Sequence, residues 1–278
     1  MKSAQASRVA LGIAILGLAF PAGAQQGAVA DRFRLNVGGF FQTFETTVSL
    51  NASDGSPGTE VSMQDLLGTP DRQTNFRLDG YWRFGPRGSL QFAYRGWNLR
   101  NSRTIDRTFE FGDQTYHAGA QVDSQLRVSV ADLYYAYSLL HEAYGEIGVG
   151  LGVSAYFNKV ALSGSGGVTG SGGSASGVID EEARNLIAPI PAILVFARVG
   201  LTERLSVYAR AKGVTGTVGG YHGAMFDGIA GLEYFVSRNV GIGGAYEYVK
   251  VEYSHEEPLG LALKYRYSGP LAYLALGF

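Results

Sequence analysis

Alternation of apolar and polar residues with a period of two runs through most of this chain, and it constrains the fold more than any other feature. In the segment 76–84, FRLDGYWRF, the even positions are mostly large and apolar while the odd positions carry two arginines, an aspartate and a tyrosine. In the segment 146–158 the odd positions are Ile, Val, Leu, Val, Ala and Phe. Successive side chains of a β-strand point to opposite faces, so both segments are predicted to be strands with one apolar face.

No segment after residue 33 is predicted to cross a membrane as a helix, because glycine and charged residues interrupt each apolar run before about 20 residues. The chain is rich in residues that suit strands and turns, with 40 Gly, 17 Tyr and 15 Phe among 278 residues. We therefore predict an all-β fold.

Composition also excludes several classes of function. The chain has no cysteine, which excludes a disulfide framework and a Cys-ligated metal. Its formal net charge of -1 offers no basic excess for nucleic acid. We expect no nucleic-acid partner, no metal and no cofactor.

The N-terminus has the features of an export signal. Lys2 and Arg8 precede the apolar run 9–20, and Pro21 and the small residues Ala-Gly-Ala follow it. This order predicts a signal peptide over residues 1–24, cleaved before Gln25, and a mature domain over 25–278. A membrane anchor is the weaker interpretation, because the run is much shorter than the roughly 20 residues that span a bilayer.

The alternation divides the mature chain into ten predicted strands. They lie at about 33–49, 74–85, 88–104, 122–139, 144–161, 186–200, 204–218, 223–236, 239–254 and 261–278. Short connections alternate with longer ones, as in bacterial barrels with tight periplasmic turns and longer extracellular loops. The connection near 217–222 is short where a long loop is expected, which leaves eight strands as an alternative.

A soluble β-sandwich would alternate in the same way, but three features favour a closed antiparallel transmembrane β-barrel. The apolar parity is aromatic near strand ends, as in interfacial girdles. The charged parity is rich in glycine and tyrosine, which suits a confined lumen. The last strand ends at Phe278, with Leu276 and Leu274 in phase. Closure also leaves no unpaired strand edge in hydrocarbon.

Charged residues of the polar parity are expected to face the lumen, where cations and anions nearly balance. The predicted set is Arg34, Arg77, Asp79, Arg83, Arg95, Asp132, Glu146, Arg198, Arg210, Lys212, Asp227, Glu233 and Glu247. Buried charges persist only when paired, so we interpret them as a salt-bridge network that fills the interior. A narrow channel with a gap in the network is the alternative.

The last two strands predict where the bilayer ends. The lipid-facing parity continues to Tyr248 and then becomes Lys250 and Glu252, and in the final strand it continues back to Pro270 and then meets Ser268, Arg266 and Lys264. Pairing Val240 near Gly277 would bring both changes to one height. We expect Lys250, Glu252, Lys264 and Arg266 on an extracellular rim, because a cation at the midplane costs about 2–4 kcal/mol. A β-bulge near Gly269-Pro270 is the alternative.

No catalytic constellation is evident. The triplet Ser254-His255-Glu256 suggests a hydrolase, but adjacent strand residues point to opposite faces. Lipid A deacylases carry a His-x-Ser spacing and omptin proteases an Asp-x-Asp pair, and this sequence has neither. The palmitoyltransferase barrel is approximated only by Asp123-Ser124 near His117. We therefore do not expect an enzyme.

The mature chain resembles the small OmpA-like and OmpW-like outer-membrane barrels. The run 76–84 and the run YRYSGP at 265–270 look like those of an uncharacterised group of proteobacterial barrels. The terminal strand resembles the signal that the barrel-assembly machinery recognises, through Phe278.

The resemblance implies the barrel fold and a location in the Gram-negative outer membrane. We expect a monomer in contact with outer-membrane lipid and lipopolysaccharide. The expected function is structural or surface-interacting. A narrow channel for small solutes is the alternative, and a lipid A-modifying enzyme is the distant alternative.

Overall fold

A computed structural model describes residues 31–51, 58–170, 173–175, 179–218, 221–255 and 261–278. The predicted signal peptide at 1–24 lies outside these residues, so its cleavage stays a prediction. Within the described ranges, no helix has the length and apolar character needed to span a bilayer.

The described chain is all-β and forms two sheets. The strands are β1 (Phe33–Leu50), β2 (Val61–Ser62), β3 (Arg72–Arg83), β4 (Gly88–Thr104), β5 (Phe109–Phe111), β6 (Gln114–Tyr116), β7 (Gln121–Glu142), β8 (Gly145–Ser165), β9 (Val168–Gly170), β10 (Gly173–Ala175), β11 (Ile179–Gly200), β12 (Leu205–Val218), β13 (Tyr221–Phe235), β14 (Val240–His255) and β15 (Leu261–Gly277).

Ten long antiparallel strands close into a barrel, which confirms the predicted fold. Their order is β1, β3, β4, β7, β8, β11, β12, β13, β14 and β15, and β15 pairs back with β1 from Arg34↔Gly277 to Leu50↔Leu261. The alternative of eight strands is wrong. β12 and β13 are a true hairpin whose ladder reaches Val218↔Tyr221, and this explains the unexpectedly short connection.

Several strands are longer than predicted, because the ladder continues into segments predicted to be loops. β8 extends to Ser165, and β11 begins at Ile179 rather than near residue 186. The connection at 105–121 contains β5 and β6, which form a second, four-stranded sheet with β9 and β10. The rings of Phe109 and Tyr116 stack there at 4.9 Å. We call the end of the barrel that carries this second sheet the cap end. The opposite end has the tight turns, the start of β1 and the end of β15, and we call it the turn end.

The outer surface of the half nearer the turn end is an apolar belt. Exposed side chains there include Trp82, Leu133, Leu151, Ile193 and Leu274, and Leu151 is 67% exposed. On β14 the belt runs from Val240 to Tyr248, which matches the roughly nine to eleven residues of a tilted membrane strand.

Inside and outside exchange polarity along the strands. In the belt half, polar and charged residues face inward. Toward the cap end the inward positions become apolar and aromatic, with Phe40, Phe44, Trp97 and Tyr267 all buried. The ring of Trp97 meets that of Tyr267 edge-on at 4.9 Å and that of Phe44 at 5.5 Å. The barrel therefore continues beyond the belt as a wall with a polar exterior and an apolar core, as in a protein surrounded by water.

The barrel wall has one weak seam, between β11 and β12. Their ladder runs only from Ile193↔Gly213 to Gly200↔Ser206, although both strands continue toward the cap end. On β11, Pro189 and Pro191 lie just beyond Ile193 on the cap-end side. The ladder between β11 and β8 includes both prolines without interruption. Proline has no N–H to donate, so we infer that the missing donors face β12. The sequence Pro-Ile-Pro thus ends this ladder.

Candidate functional site: the lumen and the outer surface

The turn-end cluster joins four charged side chains from distant parts of the chain. Arg34 on β1 forms ion pairs with Asp31 and with Glu233 of β13. Arg198 of β11 also pairs with Glu233. Tyr273 donates a hydrogen bond of 3.1 Å to the other oxygen of Glu233. Glu233 is fully buried and is held by two guanidinium groups and a phenol.

A second pair lies close to the turn end. One terminal nitrogen of Arg83 is 2.8 Å from both carboxylate oxygens of Glu146. The hydroxyl of Ser138 donates to the same carboxylate. β3, β7 and β8 are thereby joined across the interior.

The central cluster is a square of two cations and two carboxylates at mid-barrel. Arg95 contacts Asp132 at 2.8 Å and Asp227 at 2.9 Å. Lys212 contacts the same two carboxylates at 2.7 and 2.9 Å. Arg95 Nε also donates a 2.7 Å hydrogen bond to the Tyr267 hydroxyl. Tyr267 belongs to the apolar layer, so Arg95 joins the charged layer to the aromatic layer above it.

The remaining lumen charges form the Arg77 cluster. Arg77 pairs with Glu247 across the barrel and with Asp79 at 3.0 Å on its own strand. Arg210 reaches the other oxygen of Asp79 at 3.0 Å. Each of the thirteen predicted lumen residues thus has an oppositely charged partner within the barrel.

Sequence reasoning missed several residues of this network. Asp31 precedes β1 and gave no alternation signal, yet it supplies the carboxylate that brings the network to seven cations and seven anions. The phenols of Tyr267 and Tyr273 were missed because tyrosine is ambiguous between an apolar and a polar position. Their inward parity, shared with Gly269 and Leu271, was the available signal.

Two cavities that border the network among the described residues are small. A cavity of about 30 Å³ is lined by Arg34, Asn36, Arg83 and Arg198 among others. Another of about 20 Å³ lies beside Lys212 and Asp227. Such volumes hold one or two water molecules each. The glycines of β8 tighten the interior further, since a Cβ at Gly152 would stand 2.2 Å from the carbonyl oxygen of Leu133.

Of the four predicted rim residues, Lys250, Lys264 and Arg266 are exposed and Glu252 is partly exposed, and all four have the outward parity beyond the belt. Lys250 pairs with Glu252 at 2.7 Å, and this hydrogen bond raises the pKa of Lys250. Lys264 pairs with Glu60 at 2.6 Å, and Arg266 pairs with Glu45.

The ladder that carries the rim residues is regular. It runs without a register shift from Val240↔Leu276 to Ser254↔Ala262, so no bulge interrupts it at Gly269-Pro270. The observed pairing differs by one residue from the predicted Val240–Gly277. Tyr248 lies opposite Ser268 and Lys250 opposite Arg266, so the two polarity changes coincide in register.

The histidines considered for catalysis are scattered. His117 is exposed at the cap end, where Nε2 is 3.0 Å from the Thr169 hydroxyl. His141 lies at the turn end, 3.9 Å from Glu146. The side chains of His222 and His255, and all of Glu256, lie outside the described residues. Among the described residues, no group of three or more His, Asp or Glu side chains is arranged to hold a metal.

A closed ten-stranded barrel with an apolar outer belt and a polar interior defines a transmembrane β-barrel of the outer-membrane class. No family model matches the chain, and no curated protein matches it by sequence. Solved structures do match.

The outer-membrane protease OmpT of Escherichia coli is similar at 12% identity and a TM-score of 0.55, over 91% of this chain and 98% of that one. OprG of Pseudomonas aeruginosa is 14% identical with a TM-score of 0.36, over 91% and 99%. The toluene transporter TodX of Pseudomonas putida is 8% identical with a TM-score of 0.36, over 90% and 91%. At 12% identity the likeness to OmpT establishes the fold alone.

Proposed function

We propose that this protein is a monomeric outer-membrane β-barrel of structural or surface-interaction type, with a closed lumen and with its cap end outside the cell. The observation that carries the proposal is that the interior is occupied at two successive levels. Ion pairs fill the belt half, and packed aromatic rings fill the half beyond it.

Both levels oppose the passage of an ion. In the central cluster, an ion would have to separate Arg95 and Lys212 from Asp132 and Asp227, at distances of 2.7 to 2.9 Å. Leaving one such buried charge without its partner costs about 3–5 kcal/mol. Above it, the rings of Trp97 and Tyr267 meet edge-on at 4.9 Å and offer no charged group to replace an ion's water.

The proposed location rests on the belt together with the predicted signal peptide. Phe278 is outward-facing and 66% exposed, and its carbonyl oxygen accepts hydrogen bonds from the backbone N–H groups of Arg32 and Phe33. An exposed aromatic at the closing strand is accessible to the barrel-assembly machinery before closure. Lipid and lipopolysaccharide are then the partners of the belt and of the surface above it.

Two alternatives remain. A narrow channel is favoured only by the weak β11–β12 seam, which would give a lateral rather than an axial path. A lipid A-modifying enzyme would need a nucleophile and a base within hydrogen-bond reach at the cap end. The described histidines, His117 and His141, lie at opposite ends of the barrel.

The test is conductance of purified, refolded protein in planar bilayers. Insertion is verified first by heat-modifiable gel migration, because a folded barrel resists unheated detergent. We expect no resolved openings. The double variant Arg95→Ser/Trp97→Ala removes one residue from each level and should conduct if it inserts. Well-resolved openings of the wild type would refute the closed lumen.

A further inference from the structure

The outward surface just beyond the belt differs between two sides of the barrel. On β14 and β15 each cation is paired with a carboxylate, as described for Lys250, Lys264 and Arg266. On β4 and β7, Arg100 and Arg127 are exposed, and no carboxylate of the described residues lies within ion-pair distance of either. Among the described residues, Arg100 and Arg127 are therefore exposed cations without an ion-pair partner on the β4–β7 side, whereas the cations of the predicted rim are paired.

The ladder register brings these two guanidinium groups together. Arg127 lies opposite Asn98 on β4, and Arg100 lies opposite Gln125, two residues along β7. Arg100 and Arg127 are thus diagonal neighbours on one face, a spacing of about 7–8 Å that long side chains bridge easily. Like charges so placed repel each other, and an anion between them removes that repulsion.

Arg100 is already oriented. With the Gln125 amide turned to satisfy its neighbours, its side-chain oxygen accepts from Nε and Nη2 of Arg100 at 3.2 and 3.0 Å. The side chain of Arg100 is exposed, and its Nη1 has no hydrogen-bond partner among the described residues.

A surface hollow adjoins Arg100. It has a volume of about 410 Å³ and lies across β4, β7 and β8. Its outward-facing lining consists of Arg100, Ser102, Asp123, Gln125, Ala161 and Ser163. We call it the outer hollow. The hydroxyl, amide and carboxylate groups can form hydrogen bonds with sugar hydroxyls. The guanidinium group of Arg100 can bind a phosphate attached to that sugar.

The apolar belt begins directly beneath. Arg127 lies opposite Lys159, and one row below them Ser129 lies opposite Phe157. Phe157 is 44% exposed and faces outward. A row of outward residues is separated from the next by about 6.6 Å, so acyl chains along Phe157 would place a headgroup at Arg127.

We propose that Arg100, Arg127 and the outer hollow bind the phosphorylated sugar headgroup of an outer-leaflet glycolipid, whose acyl chains lie along the belt at Phe157. This inference rests on the proposed function, because it needs the cap end in the outer leaflet. The guanidinium groups hold the phosphate by charge-assisted, forked hydrogen bonds. Ser102, Ser163 and Asp123 exchange hydrogen bonds with sugar hydroxyls.

The test uses refolded protein in phosphatidylcholine vesicles that contain diphosphoryl lipid A, dephosphorylated lipid A or phosphatidylglycerol. Diphosphoryl lipid A and phosphatidylglycerol are matched in total charge. The readout is the temperature at which gel migration changes, followed as lipid content rises. Wild-type protein should be stabilised most by diphosphoryl lipid A. Inorganic phosphate in lipid-free detergent should not reproduce the effect.

The variant Arg100→Gln/Arg127→Gln should need about tenfold or more lipid A for the same stabilisation. The matched control Lys250→Gln/Arg266→Gln, which removes two paired cations, should behave as wild type. The variant Arg100→Lys/Arg127→Lys keeps both charges but cannot form the paired hydrogen bonds of a guanidinium group. It should need an amount of lipid A between those of the wild type and the Gln variant.

Three results would overturn the site: equal stabilisation by phosphatidylglycerol, equal loss in the control, or an unchanged Gln variant. If any Gln variant does not fold, the Lys variant decides by the same criterion. Heat-modifiable gel migration and conductance, both measured without lipid A, test the proposed function separately. Failure of the glycolipid site can therefore be distinguished from failure of the proposed function.

Discussion

Arg95 is the residue whose removal should damage the interior most. It is 1% exposed and makes three polar contacts, to Asp132, Asp227 and Tyr267, at 2.7 to 2.9 Å. Arg95→Met preserves most of the side-chain volume but removes the charge. Removing one partner from a buried ion pair costs about 3–5 kcal/mol. Lys212 would still contact both carboxylates, so we expect the lower end, about 3 kcal/mol of unfolding free energy.

The assay is urea unfolding of the refolded protein in vesicles, followed by tryptophan fluorescence and by gel migration. Trp97 is buried two residues from Arg95, whereas Trp82 faces the lipid, so the fluorescence reports on both faces. The control is Arg107→Met, just after the same strand, where the side chain is 68% exposed and a change within about 0.5 kcal/mol is expected. A loss below about 1 kcal/mol for Arg95→Met, or equal losses for both, would refute the reasoning.

Further substitutions test the apolar belt, the β11–β12 seam and the outer rim. Leu151→Arg places a cation in the belt and should cost about 2–4 kcal/mol, so folding yield in vesicles should fall. Thr43→Arg, outward in the row of Ser268 where the belt ends, should fold normally, and equal yields would mean that the belt is misplaced. Pro191→Val restores an N–H toward β12 and should raise unfolding free energy by about 1 kcal/mol if the ladder extends. Pro86→Val, in a turn, should give no gain, and a gain there alone would contradict the explanation of the seam. Arg266→Gln breaks an exposed ion pair and should change stability by less than about 1 kcal/mol in the same urea titration.

The positions of the ten barrel strands could be predicted from the sequence because lipid on one side and packed polar groups on the other impose a strict period of two. The short strands β5, β6, β9 and β10 could not. They are stabilised by contacts with one another, such as Phe109 on Tyr116, and three residues are too few to show a period.

The lumen charges could be named individually, but their partners could not. Arg77 and Glu247 are 170 positions apart, and only closure of the barrel brings them together. Asp31 gave no signal because it lies outside the alternating strand.

The sequence showed that the outward residues of β14 and β15 change from apolar to charged. The matching change of the inward residues from polar to apolar was not predicted. Inward Val249 and Val251, on the same strand as Lys250, already indicated an apolar core beyond the membrane. Pro189 and Pro191 also carried a readable signal, since two prolines on one side of a strand prevent pairing there.

The exchange of inner and outer polarity along the strands can be measured directly, because the chain has no native cysteine. Single cysteines at Leu151, Ile242, Thr43 and Lys250, each labelled with a small fluorophore, would be compared in vesicles of brominated lipid. The account predicts strong quenching at Leu151 and Ile242 and weak quenching at Thr43 and Lys250. Equal quenching at all four sites would contradict it.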